Sequence, residues 1–152
     1  MNKRHKYKTL PLATLLLTLF FFTSNAQVSK MNFQSNPWRE DELLSAESLS
    51  DLITRKSKVK IYNIGVVQNI KGAINLGAAS ESANLERLKN IAQKGDRSAF
   101  IVIYCGCCPM GKCPNIRPAF KVLKEQKYTN AYLLDLPVNI KVDWIDKGFP
   151  IE

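Results

Sequence analysis

Polar and apolar positions change rhythm several times along the chain. Val59-Lys60-Ile61-Tyr62-Asn63-Ile64 alternates with the period of two that places every second side chain on one face of a sheet, and Gly65 ends the run. Ala73-Ile74-Asn75-Leu76, following Lys71-Gly72, reads as a second short strand. Leu85, Leu88, Ile91 and Ala92 then recur at helical spacing, which predicts a helix over 81–94 closed by Gly95. Phe100-Ile101-Val102-Ile103-Tyr104 is a continuous apolar run, as expected of a central parallel strand buried on both faces. A helix is predicted from Asn115 to Gln126, with Asn115 as its N-cap, Pro118 in its first turn, and Ala119, Phe120, Val122 and Leu123 as its buried stripe. Ala131-Tyr132-Leu133-Leu134 is the last predicted strand. Beyond Pro137 the chain reads as irregular or briefly helical, with Trp144, Ile145 and Phe149 packing back onto the core. Upstream, Ser48-Leu49-Ser50-Asp51 has the form of a helix-start box ahead of Leu52 and Ile53, predicting a short helix over 48–56. Strands alternating with helices imply an α/β fold, a parallel sheet flanked by helices on both faces. Ligands of such sheets bind at the carboxyl ends of the strands.

The first residues follow a different logic. Lys3, Arg4, Lys6 and Lys8 precede an apolar stretch, Leu10 to Phe22, and Thr23-Ser24-Asn25-Ala26 then supplies small residues. This is the pattern of a signal peptide cleaved near Ala26. The apolar stretch falls short of the ~20 residues a membrane-spanning helix needs. Residues 1–26 are therefore read as a signal peptide, 27–47 as an N-terminal lead-in and 48–152 as a single domain. The expected destination is the periplasm or the exterior, with no membrane contact after cleavage.

Cleavage changes the charge and the chemistry. The net charge of +9 includes four basic residues and no acids from residues 1–26, so +5 remains. Those charges are scattered among acids without aromatic interleaving, which argues against a nucleic-acid partner. The single histidine, His5, leaves with the signal. Imidazole-dependent catalysis and histidine-ligated metals are thereby excluded.

All four cysteines lie between Cys105 and Cys113, directly after the apolar run and just before the predicted helix. A strand that delivers a thiol to a helix N-terminus favours thiolate, because the unpaired backbone N–H groups there stabilise an anion. Cys105 is the candidate nucleophile. Gly106, Gly111, Lys112, Asn115 and Arg117 are candidates for shaping the loop and holding the anion. Cys107, Cys108 and Cys113 are candidates for redox chemistry, with Cys105 and Cys108 forming a C-x-x-C pair.

The sequence resembles the rhodanese-type (sulfurtransferase) domain family over residues 48–152. Asn69-Ile70-Lys71-Gly72-Ala73-Ile74-Asn75-Leu76 is similar to that family's H-I-P-G-A-I-N-I segment. Ile101-Val102-Ile103-Tyr104-Cys105 is similar to its strand ending in the catalytic cysteine, and Ala119 to Ala131 to its A-A-x-L-L-K-E-A-G-F-x-N-V segment. The resemblance implies that Cys105 takes an outer sulfur from a donor as a persulfide and passes it to an acceptor, with no metal or organic cofactor. The partners implied are a small sulfur donor, a thiol acceptor and, for redox chemistry, a partner protein. The chain departs from the family loop, C-x-x-x-x-R. Asn115 stands in the arginine position behind an insertion, and Asn63 and Gly65 replace the Asp and Arg that commonly end the first strand.

Other readings of the cluster stay open at this point. Four neighbouring thiols in an oxidising compartment suit thiol–disulfide exchange or a structural staple. Thiolates also suit Cu(I) or Zn(II), although adjacent Cys107 and Cys108 aim poorly at one tetrahedral ion. A catalytically inactive binding module of the same fold is a further alternative.

Overall fold

The structure is a computed structural model and describes residues 37–152. The signal peptide read over 1–26, its cleavage point and lead-in residues 27–36 lie outside the described residues. Among the described residues, no helix is long and apolar enough to cross a membrane.

Five strands form one parallel sheet: β1 (Leu43–Ser45), β2 (Lys60–Asn63), β3 (Ala73–Asn75), β4 (Ile101–Tyr104) and β5 (Ala131–Asp135). Their spatial order is β1-β5-β4-β2-β3. The central pair is in register with Ile61 opposite Val102 and Asn63 opposite Tyr104. All four residues of β4 are buried, as its apolar run requires.

Alternation along β4 sorts its side chains between two cores. Ile101, Ile103 and Cys105 pack with Leu88 and Ala92 of α2 (Ser82–Lys94) and with Ile116, Ala119, Phe120 and Leu123 of α3 (Ile116–Glu125). Val102 and Tyr104 face the opposite side, with Leu49 of α1 (Ala46–Thr54) and with Ile140 and Trp144. Each apolar side chain buried this way contributes about 1.5–3 kcal/mol of transfer free energy. The period of two thus carries Cys105 to the α3 side of the sheet.

Several expected boundaries move. The strand expected over Val59–Ile64 is Lys60–Asn63, and that over Ala73–Leu76 ends at Asn75. The helix α1 starts at Ala46, because Ser45, rather than Ser48, is its N-cap: the Ser48 backbone N–H donates to Ser45 Oγ at 3.1 Å. The Ser48-Leu49-Ser50-Asp51 box therefore lies inside the helix. Ahead of it, a 3-10 turn at Glu40–Glu42 leads into β1, an edge strand within the segment read as lead-in. Three residues are too few to display an alternation. The C-terminal segment forms a π-helical turn, Lys141–Ile145. Trp144 is fully buried there, donates Nε1–H to the Pro150 carbonyl at 3.0 Å and meets Phe149 edge-on.

Connections leave β2 toward β3 and β4 toward β5, in opposite directions across the sheet. The crevice at the carboxyl ends of β2 and β4 is the switch point at which open α/β sheets place their ligands. Gly65 follows β2 there, and Cys105 follows β4.

Candidate active site

Cys105 is 1% exposed, one residue beyond β4. A Cβ on Gly65 would fall 2.8 Å from Cys105 Sγ and 2.7 Å from the Cys105 carbonyl oxygen, so only a residue without a side chain fits opposite this sulfur. On the other side, Asn115 Nδ2 donates to Cys105 Sγ at 3.1 Å. Asn115 Oδ1 accepts the Ser80 backbone N–H at 2.8 Å, which fixes the amide with its NH2 group toward sulfur. The expected N-capping role is corrected here. Asn115 has helical backbone angles, and its side chain makes no cap hydrogen bond. It is 4% exposed, and its polar ends serve Ser80 and the thiolate instead.

The remaining donors come from the loop. The Cys107 backbone N–H and the Cys113 thiol also act on Cys105 Sγ, the Cys113 sulfur lying within 4.8 Å, and Cys107 Sγ is 3.2 Å away. These contacts hold the Cys105 thiol well below its ordinary range, to about 5. The Cys113 thiol is the largest cause, with Asn115 and Cys107 adding to it and burial opposing. The neighbours shift the other way. Cys107 is pushed up by the partial burial of its sulfur and by the Cys105 and Cys108 sulfurs. Cys113 is pushed up chiefly by its hydrogen bond to Cys105. Together these shifts favour the charged form at Cys105 and the protonated form at Cys107 and Cys113.

The start of α3 also bears on Cys113. The backbone N–H groups of Asn115 and Ile116 favour the charged form of Cys113, and Cys113 in turn acts on Cys105. The helix terminus acts on the nucleophile at one remove.

The other expected residues divide. Gly106 is part of the site: its φ of +69° is the left-handed conformation glycine tolerates, and a Cβ would fall 2.7 Å from Ile140 Cβ. Its carbonyl accepts the Ile140 N–H at 2.9 Å, which tethers the loop. Cys108 is half-buried, with Sγ 3.4 Å from Cys107 Sγ. Sulfur contacts run from Cys105 through Cys107 to Cys108. Gly111 and Lys112 lie in the 3-10 turn Met110–Lys112. Lys112 is exposed; its backbone N–H donates to the Pro109 carbonyl at 2.9 Å, and its side chain makes no hydrogen bond or ion pair with the described residues. Arg117 stacks on Trp38 at 5.5 Å and donates to the Gly111 carbonyl at 3.4 Å. Among the described residues, then, neither cation bonds to a cysteine, and the anion is held by neutral donors. Met110 is a buried anchor whose Sδ accepts the Leu136 N–H at 3.4 Å.

All four cysteines are free thiols. The sulfurs of Cys105, Cys107 and Cys113 lie within 4.8 Å of one another, a donor set that could hold a soft ion.

No protein-family model matches the chain, and neither does any curated protein. Solved structures do. A thiosulfate sulfurtransferase from Pseudomonas aeruginosa superposes on 72% of the chain with a TM-score of 0.50 and 16% identity. A single-domain sulfurtransferase from Saccharomyces cerevisiae superposes on 70% with a TM-score of 0.50 and 15% identity. The fold is rhodanese-like. The chain spans 20% of the length of the Pseudomonas enzyme and 90% of the yeast one. At these identities the likeness carries the architecture of the rhodanese-like domain and leaves its chemistry to the residues present.

Two of those residues were not singled out as site residues from sequence. Gly65 read as a strand terminator and, with Asn63, as a replacement for the charged pair that ends the family's first strand, although a glycine ending the strand beside the nucleophile's strand is the available signal. Asn63, fully buried, accepts the Gly65 N–H on Oδ1 at 3.0 Å and donates to the Val67 carbonyl and to Asn69 Oδ1. It fixes the backbone at the crevice.

Proposed function

We propose that this protein is a sulfurtransferase that carries sulfane sulfur as a persulfide on Cys105. The observation that supports the reading is the environment of one sulfur. Cys105 Sγ lies at the switch point of the sheet, opposite a residue with no side chain, with donors from Asn115, Cys107 and Cys113 around it. A buried thiol with that many donors is a nucleophile in its reactive form. Its thiolate attacks the outer sulfur of a donor, the donor's S–X bond breaks, and X departs with the electron pair. The bound persulfide keeps the negative charge within the same donors.

The donor approaches from the Cys107 side, the exposed side of the cluster. With no cation bonded to the site, small persulfides and polysulfides suit it better than a dianion such as thiosulfate. No nucleic acid takes part. The reading includes export, supported by the basic start, the apolar stretch and the small residues before Gln27.

The test is intact mass after incubating reduced protein with cysteine persulfide. Gain of one sulfur on Cys105, lost in Cys105→Ser, is the expected result. Sulfur uptake retained by Cys105→Ser would sink the assignment. A second reading, thiol–disulfide exchange, is supported by the 3.2 Å approach of Cys107 Sγ to Cys105 Sγ.

A further inference from the structure

We propose that the chain carries its own sulfur acceptor: the Cys107 thiol attacks Cys105 Sγ of the persulfide, closing a Cys105–Cys107 disulfide and expelling the outer sulfur as hydrogen sulfide. The inference rests on the persulfide reading above and names the fate of the bound sulfur. The bond that breaks joins Cys105 Sγ to the outer sulfur, and the bond that forms joins the two Sγ atoms. The outer sulfur takes up two electrons and becomes sulfide. The Cys107 thiol passes its proton to the outer sulfur as it attacks, so that the thiolate forms the new bond. The proton leaves on the sulfide, and the cysteine sulfurs end as a disulfide. A dithiol reductant then restores both thiols. The net reaction converts a persulfide and a dithiol into a thiol, hydrogen sulfide and a disulfide.

Three features of the loop carry this. The Sγ atoms of Cys105 and Cys107 are already 3.2 Å apart, a contact that only needs to shorten into a bond. Gly106 makes the approach possible, because its left-handed φ of +69° turns the chain back so that residue 107 lies over residue 105. Cys107 is exposed, whereas Cys113, the other neighbouring thiol, is 2% exposed with its sulfur engaged by the α3 amides. Cys107 can change partners without disturbing the helix start.

The same asymmetry directs the disulfide's reduction. An external thiolate reaches the exposed sulfur of Cys107, and the bond then opens with Cys105 as the leaving group. Asn115, Cys113 and the Cys107 N–H stabilise that leaving thiolate, and a stabilised thiolate leaves faster. Donors that favour the nucleophile in the first step therefore favour its release in the last.

The experiment is a single turnover. Fully reduced full-length chain receives one equivalent of cysteine persulfide and is quenched in acid. Released sulfide, intact mass and disulfide position are then measured. The expected result for the wild type is one equivalent of sulfide and a Cys105–Cys107 bridge. Cys107→Ser and Cys107→Ala should stop one step earlier, holding the added sulfur on Cys105 and releasing sulfide at least about tenfold more slowly. The inference is overturned if the wild type keeps the persulfide without releasing sulfide. It is equally overturned if both Cys107 variants release sulfide at the wild-type rate through a bridge to Cys108 or Cys113. Absence of added sulfur on Cys105 in wild type and variants alike, with no sulfide released, removes the persulfide reading itself and this inference with it. That outcome is distinct from a persulfide that forms and persists.

Discussion

Cys105 and Cys113 bracket one loop and are buried alike, 1% and 2% exposed, yet their surroundings push the two thiols in opposite directions, Cys105 down and Cys113 up. Proximity to a helix N-terminus would select Cys113, whose sulfur receives two α3 backbone N–H groups. The charge goes to Cys105 because that sulfur collects a side-chain amide, a backbone N–H and the Cys113 thiol at once. Cys113 serves as a link, since amides that polarise its sulfur strengthen the S–H it offers to Cys105. Donor count at the sulfur, rather than position against the helix, decides which thiol ionises.

Exchanging the roles is the strongest way to break this comparison. In Cys105→Ser the sulfur that holds the Cys113 proton is gone, and Cys113 should titrate lower, toward the ordinary thiol range. Thiolate ultraviolet absorbance against pH checks this, and an unmoved Cys113 would show that burial alone governs it. Next in size, Cys113→Ala should raise the Cys105 titration by about 1–2 units, because a hydrogen bond to a charged group is worth about 1.5–3 kcal/mol. Asn115→Ala should raise it by about one unit and slow persulfide formation at neutral pH. An unchanged titration in that variant would show the amide to be structural only.

Stability sharpens the same contrast. Cys105 has a folded pKa below its unfolded value, so its contribution is fully present above the unfolded ~8.5 and is lost as pH falls through about 5. The melting temperature of wild type relative to Cys105→Ser should therefore rise between those limits and flatten outside them. A difference independent of pH would mean that the thiolate is not the source. The smallest effect is expected of Lys112→Ala and Arg117→Ala. Each should move the Cys105 titration by no more than a few tenths of a unit, because neither side chain bonds to the sulfur.

Much of the fold was legible because its signals are local and repeated. The apolar run ending at Tyr104 is β4, and the helical spacing of Leu85, Leu88 and Ala92 is α2. The edge strand Leu43–Ser45 was not, since pairing with Leu133 to Asp135 makes it a strand and three residues carry no period. At the site, Cys105 could be chosen from its place after β4, while the donor geometry could not. Asn115 has the side chain of a good cap, and its use as a sulfur ligand depends on Ser80, thirty-five residues upstream, taking its other end. Lys112 and Arg117 looked like anion-holding groups, yet Trp38 draws the guanidinium aside. Contacts between distant segments decided each of these, and residue type and spacing do not encode such contacts.

The alternation of β4 has a further consequence. Tyr104 turns toward the opposite core, where its hydroxyl accepts the Ile70 N–H at 2.9 Å, and Cys105 turns toward α3. Insertion or deletion of one residue within that strand would not weaken the site by degrees. It would exchange the faces of phenol and sulfhydryl across the pleat and carry the thiol off the α3 side. The central strand therefore acts as a two-position selector, and its length in whole residues is as strict a requirement as the identity of the cysteine it delivers.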